Sequence, residues 1–309
     1  MLPSPPLKEL PRYPVTAGVA LAAIGISILW WTGQGIDASI MDDRVWSRWE
    51  LWRAVTCTLP HVNYFHLAFN LYWIWNLGTL VERVFGGLRW VGIFLLLAFG
   101  SGLWEFMLLD GGVGLSGVVY GLWGMLAILA PRDHRFSGAV DGQTNRLFVG
   151  WFFLCVFLTI TGIMPVGNIA HGMGAVTGVL LGFALAGRGP LKRAAVAGLA
   201  LVLVSGIAGS TGLWPQVNLS TQAAEMAGYD CLRDHDNASA VKFLERASRS
   251  KNAPARAWFN LGIAYQRLNR DDDSLRAFEQ AAKMPDSNDE MKTSAHDVKA
   301  YLDWKKSRP

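Results

Sequence analysis

Four residues able to do hydrolytic chemistry lie in hydrocarbon-like sequence, where water chemistry is hardest to arrange. Ser116 opens one apolar run, in the segment Gly114-Leu115-Ser116-Gly117, and His171 stands near the start of a later run. His66 and Asn70 lie in an earlier run, four residues apart and therefore on one helical face. Polar and ionisable groups are costly within a bilayer and mark function there. A serine hydroxyl and an imidazole can supply a nucleophile and its general base. Asn70 cannot act as a base, but His66 and Asn70 can both donate hydrogen bonds to a developing oxyanion. The loss of one such donor costs about 3 kcal/mol in typical hydrolases.

Small residues around these groups predict how they meet. Gly114 lets the backbone turn into the helix, and Gly117 keeps the side opposite the serine uncrowded. The first N–H groups of that helix have no intrahelical partners and can receive negative charge. Gly174, Gly178 and Gly182 follow His171 at offsets of three, seven and eleven, so they share its face. The serine helix carries its own small surface at Gly117, Gly121 and Gly124. Two glycine faces allow near-contact packing, which predicts His171 beside Ser116, with Tyr120 one turn on and stacked on the imidazole.

Competing readings are weaker. A serine in a membrane helix often bonds only its own backbone, and a glycine-zipper pair can carry an incidental histidine. A metal site lacks a clear third ligand and any H-E-x-x-H pattern, so it ranks well below a hydrolytic one. No carboxylate is obviously aimed at His171; Glu105 and Asp110, at the outer end of a helix, are expected to meet water or interface groups. The simplest proposal is a Ser116–His171 dyad, with His61 as a supporting hydrogen-bonder near the outer surface.

The elements that must position these groups follow from composition. Of the 52 charged residues, 29 lie in 219–309, leaving the first 218 residues membrane-like. The net charge of +4 does not suggest nucleic-acid binding. Cys57, Cys155 and Cys231 show no paired spacing and read as free thiols. The first apolar run ends in tryptophans rather than a small-residue cleavage site, so it reads as a span rather than a removed signal. Seven apolar segments are expected, near 14–32, 62–82, 88–109, 115–130, 147–164, 169–187 and 192–213. The link between the third and fourth is so short and glycine-rich that the fourth helix is expected to begin below the membrane surface.

Lys8, Arg12, Arg83, Arg89, Arg132, Arg135, Arg146, Arg188, Lys192 and Arg193 fall on one side, which the positive-inside rule makes cytoplasmic. The first loop, with Trp46, Trp49 and Trp52 at roughly helical spacing, is expected to form an amphipathic element on the outer face. Residues 1–13 then form a cytoplasmic N-terminus, 14–187 a six-helix core and 188–218 a seventh helix and linker. Residues 219–309 follow as an extracytoplasmic domain. This last part repeats at 34 residues: Gly228 aligns with Gly262, Glu245 with Glu279 and Ala247 with Ala281. With Trp258, Leu261, Tyr265, Phe278 and Pro285, it resembles the tetratricopeptide pattern of paired helices, a surface for a peptide or protein partner. The fold class is thus all-α: a polytopic membrane bundle followed by a soluble helical-repeat domain.

The core motifs resemble those of the rhomboid family of intramembrane serine proteases. They stand as His61-Val-Asn-Tyr-Phe-His66-Leu-Ala-Phe-Asn70, Gly114-Leu-Ser116-Gly117-Val-Val-Tyr120-Gly and Ala170-His171-Gly-Met-Gly174-Ala-Val-Thr-Gly178, with Trp52-Arg53 in the first loop. The resemblance covers about 14–187. It implies that Ser116 is the nucleophile and His171 the base, that His66, Asn70 and the Ser116 N–H bind the oxyanion, and that Tyr120 packs on His171. It also implies transmembrane-protein substrates cleaved in or just beside their membrane segment, and no cofactor. The compact core and short loops favour a bacterial inner membrane. The alternative is a catalytically silent escort or adaptor of membrane proteins that acts through its C-terminal domain.

Overall fold

The computed structural model describes residues 5–36, 38–41, 44–109, 111–211, 221–250 and 253–307. Every regular element among them is helical, and the chain divides into two compact units, Met1–Thr211 and Gly212–Pro309. The first unit is a membrane helix bundle. After a 3-10 turn at Leu7–Arg12 it contains α1 (Pro14–Trp31), α2 (Arg44–Ser47), α3 (Arg53–Thr56), α4 (Tyr64–Trp73), α5 (Thr79–Phe85) and α6 (Gly87–Leu109). It continues with α7 (Ser116–Leu129), α8 (Gly142–Ile160), α9 (Asn168–Ala186) and α10 (Gly189–Ser210).

Among the described residues a helix occupies most of each of the seven apolar segments. By length and composition α1, α6, α8, α9 and α10 can each cross a membrane, with mean hydropathies of 1.3 to 1.9. The second segment is not a uniform helix, because a π-helical turn at Ile74–Gly78 joins α4 to α5. α7 has 14 residues, a length of about 21 Å at 1.5 Å per residue against a hydrocarbon core of about 30 Å. α10 belongs to the first unit, and part of the expected linker, 212–218, lies outside the described residues.

α7 runs through the middle of the bundle. Val118, Val119, Leu122, Met125, Leu126 and Leu129 are all buried on it, as expected of a helix apolar on every side. α9 lies against it backbone to backbone. A methyl group added at Gly174 would strike the carbonyl oxygen of Gly117, and one added at Gly178 would strike that of Gly121. Reciprocally, one at Gly124 would sit 2.6 Å from the Ala175 carbonyl oxygen. α10 braces α6, where the Trp104 indole donates to the Val202 carbonyl at 3.0 Å.

Helix starts are satisfied in two ways. Asn63 and Asp141 cap α4 and α8 with their own side chains. The residue before α1, Tyr13, supplies no such bond. The buried Glu82 carboxylate, from α5, accepts instead from Val15 N (2.9 Å), Thr16 N (2.8 Å) and Thr16 Oγ1 (2.7 Å).

The first loop departs from expectation. Its tryptophans do not share one amphipathic helix: α2 and α3 are single turns, and Trp49 between them takes a left-handed backbone (φ 57°) that ends helical continuity. Trp49 and Trp52 are exposed, and Arg53 is buried. The Arg53 guanidinium bonds the Glu50 carboxylate and donates to the Ile40 carbonyl at 2.9 Å, tying the loop together from within.

The second unit packs hairpins. α11 (Thr221–Arg233) pairs with α12 (Asn237–Ser248), and α13 (Ala255–Arg267) with α14 (Asp271–Lys283); α15 (Asp289–Lys306) closes the stack. The same contact recurs at the 34-residue period. Gly228 receives the Leu244 side chain, and Gly262 receives the Phe278 ring.

Candidate active site

Gly114 sets the approach to the serine. Its φ of +111° suits glycine, its N–H donates to the Cys57 carbonyl at 3.1 Å, and a Cβ there would lie 2.6 Å from the His66 ring. Backbone and space therefore both require glycine. Leu115 then turns the chain, and its N–H donates to His61 Nε2 at 3.3 Å. His61 Nδ1 lies 2.8 Å from the Leu59 carbonyl, so a neutral ring with the proton on Nδ1 satisfies both bonds. The His61 N–H donates to Ser27 Oγ of α1 at 3.1 Å. His61 is thus a fully buried post under the start of α7.

Ser116 is the first residue of α7 and is half-buried. Its Oγ lies 2.8 Å from His171 Nε2. The imidazole is buried and lies against the Tyr120 ring, with centroids 4.6 Å apart and planes at 24°. The Tyr120 hydroxyl donates to the Phe148 carbonyl at 3.1 Å, so α8 holds the ring that backs the histidine. The approach of α7 and α9 through Gly117, Gly121, Gly174 and Gly178 brings a serine and a histidine 55 positions apart into hydrogen-bond range.

His66 lies over Gly114, with its ring edge-on to His61 at 4.8 Å between centroids. Asn70 is fully buried one turn along α4, and its amide nitrogen donates to the His66 carbonyl at 3.0 Å. His66 Nδ1, Asn70 Oδ1 and His171 Nδ1 are buried and unpartnered. Each carries a cost of about 1–3 kcal/mol, which concentrates unused hydrogen-bonding capacity at this end of the bundle. Among the described residues no three His, Cys, Asp or Glu side chains converge as metal ligands.

Glu105 corrects an expectation. It does not face water or the interface: it is 4% exposed, and its Oε2 accepts from the Ala170 N–H at 2.7 Å, one residue before His171. Asp110 lies outside the described residues. A carboxylate within an apolar helix is a signal the sequence carried, but its partner is 65 positions away. Phe69 and Trp73 line a small pocket with Tyr120, Leu147, Phe148 and Trp151, and Phe69 stacks on Trp151 at 5.0 Å between centroids.

Residues 48–188 match the model of the rhomboid domain. The chain is 30% identical over 135 residues to the rhomboid protease GlpG of Haemophilus influenzae, a match spanning 43% of this chain and 69% of that protein. Against the rhomboid protease GlpG of Serratia proteamaculans it is 31% identical over 182 residues, 55% of this chain and 62% of the other. Against that of Pectobacterium atrosepticum it is 33% identical over 136 residues, 43% of this chain and 48% of the other. A multi-pass helical bundle, the matching domain and these bacterial relatives identify the chain as a member of the rhomboid family of intramembrane proteases.

Proposed function

We propose that this chain is a serine endopeptidase that cleaves transmembrane proteins in or beside their membrane segments by a Ser116–His171 dyad. One observation carries the reading: Ser116 Oγ lies 2.8 Å from His171 Nε2, at the start of a helix too short to reach both membrane faces. With the imidazole proton on Nδ1, Nε2 takes the hydroxyl proton as Oγ attacks the scissile carbonyl carbon. The resulting oxyanion sits near the unpaired N–H groups at the start of α7, with His66 and Asn70 as further donors. His171 then returns the proton to the leaving amine, and a water activated by the same ring hydrolyses the acyl-enzyme. Tyr120 fixes the ring plane throughout, so no carboxylate bonded directly to the ring is needed to orient it. No cofactor enters this chemistry.

The substrate must present an extended strand, because intrahelical hydrogen bonds hide its carbonyls. Phe69 and Trp73, on α4 against α8, are proposed to flank the access route. The dyad is tested by cleavage of a transmembrane substrate in liposomes by the intact chain, Ser116→Ala and His171→Ala. Each variant is expected to lose at least about 10⁴-fold in kcat/KM. Cleavage that survives Ser116→Ala would assign the nucleophile elsewhere.

Residues 219–309 are proposed as a tetratricopeptide-like module on the extracytoplasmic side of a bacterial inner membrane, recruiting substrates or partners. Its support is the 34-residue repeat and the recurring glycine contact. Deleting 219–309 is expected to spare cleavage of a generic substrate and to impair that of a native one; equal loss of both would make the module a folding element instead.

A further inference from the structure

The start of α9 lacks what a helix start ordinarily needs. The residue before it is Gly167, which has no side chain to accept the first orphan N–H groups. Within two turns of this point lies His171, whose position relative to Ser116 decides whether a proton can pass between them. A helix end with unpaired amides frays, and fraying here would move the imidazole.

The missing acceptor comes from another helix. Glu105, in the last two turns of α6, lies buried against this turn. Its Oε2 accepts from Ala170 N at 2.7 Å. Gly167 leaves the room this needs, since a Cβ there would lie 3.4 Å from the Glu105 carboxyl carbon. The other side of Glu105 meets the segment leading to Ser116: a Cβ at Gly112 would lie 3.4 Å from Glu105 Cγ. One turn earlier on α6, Ser101 presses on α7, with its Oγ 2.7 Å from where a Gly117 Cβ would stand. A single helix therefore touches the serine-bearing and histidine-bearing helices near their starts.

We infer that Glu105 is a positioning residue for the reaction: from α6 it holds the first turn of α9 and thereby fixes where His171 meets Ser116. The inference rests on the dyad reading above. Glu105 does not touch the reacting atoms; its effect reaches them through the Ala170 backbone, one residue before His171.

The test uses the full chain in detergent with two independent readouts. One is the rate at which a fluorophosphonate probe labels Ser116, together with kcat and KM on a transmembrane substrate; the other is amide hydrogen exchange across 168–173. Glu105→Ala is expected to slow labelling and kcat about 10–100-fold, the scale on which small misplacements act, with KM unchanged within about twofold. Exchange at Ala170 is expected to rise at least about tenfold in that variant. Glu105→Gln keeps an acceptor oxygen at the same reach and is expected to restore labelling to within about threefold of the parent. Should Glu105→Ala not fold, Glu105→Asp, which retracts the carboxylate by one methylene, is expected to show the same losses.

A glutamine variant as slow as the alanine variant would overturn the inference, as would alanine-variant labelling and exchange equal to the parent's. A parent chain that the probe never labels would overturn the dyad instead, so the two failures read differently.

Discussion

The two units use glycine for opposite purposes. In the membrane unit, Gly174 and Gly178 bring α9 against the backbone carbonyls of α7, with no side chain between. In the second unit, Gly228 and Gly262 are holes that receive Leu244 and Phe278. The difference follows from the solvent. Lipid tails are as apolar as leucine, so helices gain little by burying large side chains against each other, and close backbone approach supplies the attraction. In water a filled hole removes apolar area from solvent, worth about 25 cal/mol per Å². The membrane unit gains chemistry from its mode of packing, because near-contact helices leave two short side chains, Ser116 and His171, able to touch.

That contrast can be broken by one methyl group. Gly178→Ala is expected to cost at least about 3 kcal/mol, because the added carbon meets a backbone oxygen that no rotamer change can move. Cleavage should fall more than about 100-fold as α9 is pushed off α7. Cleavage assays and unfolding in mixed micelles check both numbers; a silent Gly178→Ala would mean the helices do not depend on this approach.

The matching change in the second unit should be milder. Gly262→Ala gains up to about 1 kcal/mol of helix propensity. Its Cβ would lie 2.8 Å from the buried Phe278 ring, which can shift at a cost of about 2 kcal/mol. A net loss of about 1 kcal/mol in a urea titration is expected, and a loss as large as that of Gly178→Ala would erase the distinction.

The smallest effect concerns pH. The Tyr265 hydroxyl, buried between α13 and α12, donates to Glu245 Oε1 at 2.7 Å. Burial, reinforced by the Glu245 carboxylate, pushes its pKa from 10 up to about 12. Because the folded value is the higher one, the contribution is fully present below pH 10 and is lost as pH rises towards 12. The urea midpoint of the second unit should therefore fall between pH 9 and 11.5, and fall less in Tyr265→Phe. An identical decline in both would exclude Tyr265 as the source.

Both units nevertheless share one device, a helix start capped by a carboxylate from elsewhere in the chain. Glu82 does this for α1, Glu105 for α9, and Asp286 for α13, where it accepts from the Ala255 N–H at 3.0 Å. An orphan N–H is costly in either solvent once buried.

Much of the bundle and of the candidate site was legible in the amino-acid order. Apolar length marked the seven helical segments. The offsets from His171 to Gly174 and Gly178, and from His66 to Asn70, are helix-periodic and local, so sequence alone assigned them to faces. The 34-residue period likewise announced the hairpins whose Gly228–Leu244 and Gly262–Phe278 contacts repeat.

Tertiary structure alone decided what joins distant positions. Glu82 finds Thr16 across 66 positions and Glu105 finds Ala170 across 65, and no periodicity relates such pairs. The tryptophan spacing of the first loop misled for a related reason: Trp49 has a left-handed backbone, and Arg53 is held by Glu50 and the Ile40 carbonyl. Sequence determined which faces are small, apolar or reactive, because those are properties of residues and their spacing. Which carboxylate satisfies which helix end depends on helices lying side by side in space.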